Sequence, residues 1–295
     1  MLEIDELRSL LQTRPRDGHK GTFGTVLLVG GSLGMTGSMV LAGRAALRTG
    51  AGLVRLAIPR DCLGIVASMQ PEYTTIPLPQ DESGRIAEAA LKRILEQARL
   101  ASVVAFGPGL GRSEALNHIA LRLWLDLDKP LVVDADGLNA LASTFTSWKS
   151  DEIPQPANVR IVTPHPGEFA RLCPEAPANA PEQQRTAAVS WARRFRTVVV
   201  LKGAGTQITD GSQTARNTTG NPGMGTGGSG DVLTGMMAAI YAQLAPRGVS
   251  PFDIARLAVH LHGEAGDRAA QLHGEISLIA SDLIECFRVG ADEPK

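Results

Sequence analysis

The sequence predicts an α/β protein, a three-layer α/β/α sandwich on a mostly parallel central sheet, built as one domain over residues 1–295. Three observations point there. Short runs rich in β-branched residues recur along the chain, and they are apolar nearly throughout, as strands covered on both faces must be. Helical stretches separate them, the order expected of βαβ units. Several runs end in glycine- or proline-bearing loops, at the strand ends where open parallel sheets bind ligands.

The first strand is read at Thr25–Val29 (TVLLV), between Gly24 and Gly30. A helix over Thr36–Thr49 follows, with Thr36 as its cap, Met39, Val40, Ala46 and Leu47 on one face, and Gly50 as its end. Leu53–Ile58 is a strand stopped by Pro59. Ile86–Ala98 is an amphipathic helix preceded by Ser83. Ser102–Phe106 is a strand running into Gly107-Pro-Gly-Leu-Gly111, and Leu116–Leu125 is a helix. The strand Leu131–Val133 ends in Asp134-Ala-Asp136-Gly-Leu-Asn139, and Val159–Thr163 is stopped by Pro164. Glu182–Phe195 is helical and Thr197–Leu201 is a buried strand. Asp210-Gly211 predicts a two-residue hairpin turn between Gln207–Thr209 and Thr214–Arg216. Helices over Asp231–Ala242, Phe252–Gln271 and Ile279–Arg288 complete the order.

Composition narrows the function. The net charge of −1 provides no broad positive field, which argues against nucleic acid or an anionic membrane as partner. Cys62, Cys173 and Cys286 are far apart and show no metal-binding spacing, so neither a disulfide framework nor structural zinc is expected. The N-terminal residues lack the apolar core of a signal peptide, and no apolar run is long enough to span a bilayer, so a cytoplasmic protein is expected.

The most informative stretch is Asn221-Pro-Gly-Met-Gly-Thr-Gly-Gly-Ser-Gly-Asp231. Six of the eleven residues from Gly220 to Gly230 are glycine, and the apolar run Val232–Ile240 follows at once. Glycine costs roughly 0.5–1 kcal/mol against alanine in regular structure, so such a cluster fits a backbone that must lie against something with no side chains in the way. A glycine loop that opens a helix presents unpaired N–H groups and the positive end of the helix dipole, an anion site. Asp231 stands in the first turn beside it. The dipole favours its ionised form, which predicts a ready but weak base.

Five further loops end strands. Gly30-Gly-Ser-Leu-Gly-Met-Thr-Gly37 has neither the Lys-Ser/Thr of a P-loop nor the spacing of a dinucleotide fingerprint. It reads either as close approach to a ligand or as a glycine-tolerant turn, and Gly107–Gly111 reads the same way. Asp136 reads as a helix cap or, with Asp134 and Asn139, as a support that orients a magnesium–water shell or a loop. A lone histidine is usually structural or solvated, but His165 is flanked by Pro164 and Pro166, which restrict its backbone at a strand's carboxyl end and suit a ligand contact. Glu168 opens a helix, where a carboxylate is favoured in any case, and is the candidate for magnesium through water. Lys202-Gly-Ala-Gly-Thr206 reads either as the entry to the hairpin that turns at Asp210-Gly211 or as a backbone left clear by two glycines for an adenosine or phosphate, with Lys202 as a point charge for that phosphate.

Taken in order, GGSLGMTG, GPGLG, DADGLN, TPHPGE, KGAGT and NPGMGTGGSGD resemble the ADP/ATP-dependent NAD(P)H-hydrate dehydratases of the ribokinase-like superfamily, over about residues 20–288. Gly228–Asp231 is similar to that superfamily's anion hole and catalytic aspartate. Where many of its kinases carry N-x-x-E, this chain reads His165-Pro-Gly-Glu168, which fits the dehydratases. The resemblance implies Asp231 as catalytic base. It implies nucleotide contacts at Lys202, Gly203, Ala204, Gly205, Thr206, Asn221, Thr226, Gly227, Gly228, Ser229 and Gly230. Substrate contacts fall on Ala42, Gly109, His165 and Asp231, with Glu168 toward Mg2+. It further implies ADP, or ATP, as phosphoryl donor, the S form of NAD(P)H hydrate as substrate, AMP and phosphate as co-products, and a homo-oligomer, a tetramer by family habit. About 20 residues precede the first motif, so the epimerase domain of larger family members is expected on a separate polypeptide. Two rival readings are a small-molecule kinase of the same superfamily, acting on a vitamin precursor, and a non-catalytic nucleotide-binding regulator. The second has little need for Asp231 and Glu168.

Overall fold

The computed structural model describes residues 2–12, 14–145 and 155–289. Strands β1 (Thr25–Val29), β2 (Leu53–Pro59), β3 (Thr74–Leu78), β4 (Val103–Phe106), β5 (Leu131–Val133), β6 (Arg160–Val162), β7 (Val198–Leu201), β8 (Gln207–Thr209) and β9 (Thr214–Arg216) form one sheet. Its order is β3-β2-β1-β4-β5-β6-β7-β8-β9. The first seven strands pair in parallel, and β8 and β9 add an antiparallel edge. The helices are α1 (Ile4–Gln12), α2 (Thr36–Arg48), α3 (Leu63–Ala67), α4 (Leu91–Ala98), α5 (Glu114–Asp126), α6 (Ala135–Phe145), α7 (Pro166–Leu172), α8 (Pro181–Phe195), α9 (Ser229–Leu244), α10 (Pro251–His273) and α11 (Ala280–Glu285).

The three layers follow from the period-2 geometry of strands. In β1, Val26 and Leu28 face one core and Leu27 and Val29 the other; in β4, Val103 and Ala105 oppose Val104 and Phe106. The first core is closed by α1, α2, α9, α10 and α11, the second by α4, α5, α6, α7 and α8. Helix α9 is buried on nearly all sides, which accounts for its apolar sequence with little amphipathic pattern. Gly235 lets it lie against α2: a Cβ there would sit 2.0 Å from the Ala42 carbonyl oxygen.

Several boundaries differ from the sequence reading. Met35, not Thr36, occupies the cap position of α2, with no side-chain cap bond. The helix expected from Ile86 begins as a 3-10 turn at Glu88 and becomes α4 at Leu91, because Ile86 is held in a β-bridge with Gln80. Ser83 lies in the turn set by Asp81, whose Oδ1 accepts from the amides of Ser83 and Arg85. The hairpin between β8 and β9 turns through Asp210–Gln213 rather than two residues, since Asp210 Oδ1 gathers the Ser212 and Gln213 amides. Strand β3 was missed; Pro77 and its exposed alternate positions mask the pattern, and both are tolerated at a sheet edge. Among the described residues, no helix is long and apolar enough to cross a membrane.

Candidate active site

Strand order reverses between β1 and β4, the switch point of this sheet. The loops that leave these two strands meet there. Gly31 N–H donates to the Pro108 carbonyl at 2.8 Å, and a Cβ at Gly30 would lie 2.3 Å from the same oxygen. The glycines of the first loop therefore serve, in part, the contact between two loops. Gly109 is buried with φ +64, and a Cβ there would lie 2.7 Å from the Met35 carbonyl oxygen and 3.1 Å from Ser38 Cβ.

Helix α9 starts beside this junction. Gly228 holds its cap position at φ +93, a conformation that favours glycine. Ser229 N–H makes a long bond of 3.4 Å to Thr226, and Val232 N–H bonds the Gly228 carbonyl. Among the described residues, the N–H groups of Gly227, Gly228, Gly230 and Asp231 have no hydrogen-bond acceptor. These are the orphan donors of a helix start, aligned with the dipole.

Asp231 lies in the first turn of α9. Burial pushes its carboxyl up from 3.8 to about 6, reinforced by the negative charges of Asp134 and Asp136 and opposed by a hydrogen bond from Ser38 and the charge of Lys202. The expectation of a weak base is corrected here. Desolvation outweighs the helix dipole, which is worth only ~0.3–1 kcal/mol at exposed positions.

Next to it lies a buried charge network. Asp134 is 1% exposed. Its Oδ1 accepts from Lys202 Nζ at 2.7 Å and Thr163 Oγ1 at 2.8 Å, and its Oδ2 accepts from Thr234 Oγ1 at 2.8 Å. Lys202 Nζ also stands 3.9 Å from Glu168 Oε2. A Cβ at Gly230 would lie 3.3 Å from Lys202 Nζ, so the α9 start and the Lys202 turn adjoin. Lys202 is thus engaged by carboxylates rather than standing free for a phosphate. Burial disfavours its charge, but Asp134, Glu168 and Asp231 outweigh that and hold its pKa above the usual lysine value.

Glu168 is buried, and burial raises its pKa against the pull of Lys202. It forms a capping box with His165 at the start of α7. Glu168 Oε2 accepts from His165 N–H at 2.8 Å, while His165 Nδ1 accepts from the amides of Gly167 at 3.0 Å and Glu168 at 3.4 Å. An accepting Nδ1 leaves the ring proton on Nε2, which lies 3.4 Å from Glu168 Oε1. The imidazole is clamped, with its side chain half exposed. Among the described residues, no group of three His, Cys, Asp or Glu side chains is placed to hold a metal directly.

The other predicted residues fall as follows. Gly203 and Ala204 are exposed, and Thr206 closes their turn through bonds of its hydroxyl to Gly203. Asn221 is committed to the loop itself, accepting from Gly223 N–H and donating to Asp267. Thr226 supplies the carbonyl that Ser229 N–H reaches. Ala42 is 0% exposed between α2 and α9 and offers no surface to a ligand; it packs against Gly235. Asp136 does not cap α6. It accepts from Gly111 N–H across the junction at 2.9 Å.

The chain matches the family model described as NAD(P)H-hydrate dehydratase over residues 26–288. The chain belongs to the NAD(P)H-hydrate dehydratase family. It is 44% identical over 280 residues to the bifunctional NAD(P)H-hydrate repair enzyme Nnr of Moorella thermoacetica, covering 94% of this chain and 51% of that protein. With the same-named enzyme of Coxiella burnetii it shares 38% over 291 residues, covering 98% and 54%. The chain thus spans about half the length of the curated relatives it matches. Its fold superposes with a TM-score of 0.79 on the ADP/ATP-dependent NAD(P)H-hydrate dehydratase of Bacillus subtilis co-crystallised with ATP/Mg2+, at 30% identity over 96% of this chain and 94% of that one.

In this member of the dehydratase family, three residues near the α9 start escaped the sequence reading. Ser38 faces the Asp231 carboxyl. Asp267 on α10 takes Gly220 N–H at 2.8 Å and Asn221 Nδ2 at 3.0 Å, anchoring the glycine loop. His262 is buried, held neutral with its pKa lowered to about 4 by burial, and its Nε2 lies 3.0 Å from the Ser229 carbonyl. Nothing in the sequence singles them out: α10 carries many polar residues besides Asp267 and His262, and local sequence does not say which of them face the α9 start.

Proposed function

We propose that this chain dehydrates the (S)-hydrate of NADH or NADPH, with ADP as phosphoryl donor, releasing NAD(P)H, AMP and phosphate. The observation that carries this reading is a buried, near-neutral carboxyl, Asp231, beside amides at the α9 start that have no acceptor. Family membership and the names of the relatives support it.

Hydroxide leaves poorly near neutral pH, and phosphate leaves well. Asp231 takes the proton of the ring hydroxyl as that oxygen attacks the terminal phosphorus of ADP; the new O–P bond forms and the bond to AMP breaks. The amides of Gly227, Gly228, Gly230 and Asp231 hold the charge on the transferring group. The ring nitrogen's lone pair then expels phosphate, and loss of a ring proton restores the double bond. His165 and Gly109 line the substrate side, while Lys202–Thr206 and Asn221–Gly230 line the donor side. Asp134 holds Lys202 in place.

Asp134, Glu168 and Asp231 outnumber the single lysine, so the centre suits an added cation. Among the described residues there is no direct ligand set, so a magnesium ion would be held through water, with Glu168 as the residue that would orient it. When bound, it would neutralise the donor's phosphate oxygens. Cytoplasmic residence, a homotetramer and an epimerase that supplies the S form complete the proposal; the relatives are named as bifunctional repair enzymes.

The test is incubation with hydrated NADH and either ADP or ATP. The expected result is recovery of reduced-nicotinamide absorbance with stoichiometric phosphate, faster with ADP. A stable phosphorylated product with flat absorbance would replace this reading with that of a kinase, and nucleotide binding without phosphate release with that of a regulator.

A further inference from the structure

The pair Asp136 and Asn139 is not accounted for by the phosphoryl-transfer centre. The two residues begin a chain of side-chain bonds. Asp136 Oδ2 accepts from Gly111 N–H at 2.9 Å, Asp136 Oδ1 accepts from Asn139 Nδ2 at 3.1 Å, and Asn139 Oδ1 accepts from Arg171 Nε at 2.7 Å. This relay ties the Gly107–Gly111 loop, the first turns of α6 and the outer end of α7 into one wall. The wall borders a cavity of about 460 Å³ that is also lined by Arg112, Ser113 and Asn117, within the ~300–1,000 Å³ range of small-molecule sites.

The cavity adjoins the reacting centre. Gly111 lies two residues beyond Gly109, Asp136 two beyond Asp134, and Arg171 sits on the helix capped by His165. Asp136 is close enough to act on the Asp231 carboxyl. Its chemistry also differs from that of the centre. Among the described residues, neither Arg112 nor Arg171 has a carboxylate partner. Of the two acids lining the cavity, Asp136 is committed to N–H donors and Glu114 is exposed in the first turn of α5. The Nε bond to Asn139 fixes the plane of the Arg171 guanidinium, and among the described residues its Nη groups have no hydrogen-bond partner, a fork suited to phosphate oxygens.

We propose that this cavity binds the ADP-ribose half of the dinucleotide substrate, with Arg112 and Arg171 as specificity residues for its phosphates. The proposal rests on the dehydratase reading, since it needs a substrate whose reacting ring sits at Asp231 while a second, anionic nucleotide extends away from the donor site. The Asp136–Asn139 pair then acts as a positioning element for Arg171.

The experiment compares wild type with Arg112→Ala, Arg171→Ala and the double variant, all at exposed side chains. Steady-state kinetics with hydrated NADH and hydrated NADPH are joined to equilibrium binding of NADPH, read by nicotinamide fluorescence. The expected result is a tenfold or greater rise in substrate KM and NADPH Kd for the double variant, with kcat and the ADP KM within twofold of wild type. A rise confined to the NADPH series places the arginines on the 2′-phosphate, and an equal rise in both series places them on the pyrophosphate; either supports the subsite. Substrate KM and NADPH Kd within twofold of wild type would overturn it, as would a rise in ADP KM alone. A wild-type protein without turnover, whose NADPH Kd still weakens in the variants, would remove the dehydratase reading and leave the dinucleotide subsite standing.

Discussion

Replacing Asp231 by asparagine should stabilise the fold while abolishing turnover, and the stabilisation should depend on pH. The carboxyl titrates at about 6 in the folded chain, against 3.8 as its ordinary value. That difference corresponds to roughly 3 kcal/mol favouring the neutral form. Between the two values the folded state binds more protons than the unfolded state, so wild-type stability falls as pH rises through this window. Above about pH 6 the whole of this cost is present, and below about pH 4 it is gone. Asparagine keeps the shape and an oxygen that can accept from Ser38, but it carries no charge. The variant should therefore gain up to ~3 kcal/mol at pH 8, as an upper bound, and close to nothing at pH 4. Urea titrations of both proteins across this range read the difference directly. A variant less stable than wild type at pH 8, or one whose offset does not change with pH, would refute the claim that Asp231 is held ionised against its environment. Activity provides the second half of the test. Wild-type kcat/KM should climb with pH to a plateau above about 6. The variant should bind ADP and lose at least ~100-fold in kcat; retention of more than about a tenth of the rate, a loss below ~1.4 kcal/mol, would show that Asp231 is not the base.

Two further outcomes address the phosphate grip. Gly227→Val should lower ADP affinity tenfold or more by calorimetry while shifting stability by less than ~0.5 kcal/mol, because a Cβ there meets nothing within 4 Å. Gly228→Val is a poorer probe, since its Cβ would meet Leu41 Cδ1 at 2.5 Å in a backbone at φ +93, and lost folding would confound lost binding. Asp267→Asn leaves one amide-facing oxygen where two now accept, so it should raise the ADP KM several-fold with substrate KM unchanged; equal changes in both would reduce Asp267 to a purely structural role.

Local chemistry was legible in the sequence because it is short-ranged. Apolar β-branched runs marked the parallel strands other than the edge strand β3, and the glycines before Asp231 announced a helix that starts with open amides. The order of six loops was enough to suggest the family. Tertiary structure decided what depends on neighbours distant in the chain. Lys202 is 68 residues from Asp134 and pairs with it; Thr234 is 100 residues from the same carboxylate. Ala42 reads like any helical alanine and proves to be sealed behind α9. The basicity of Asp231 was misjudged from sequence for the same reason: the dipole of its own helix is a local property, whereas the desolvation that dominates it comes from elements brought together only when the sheet closes.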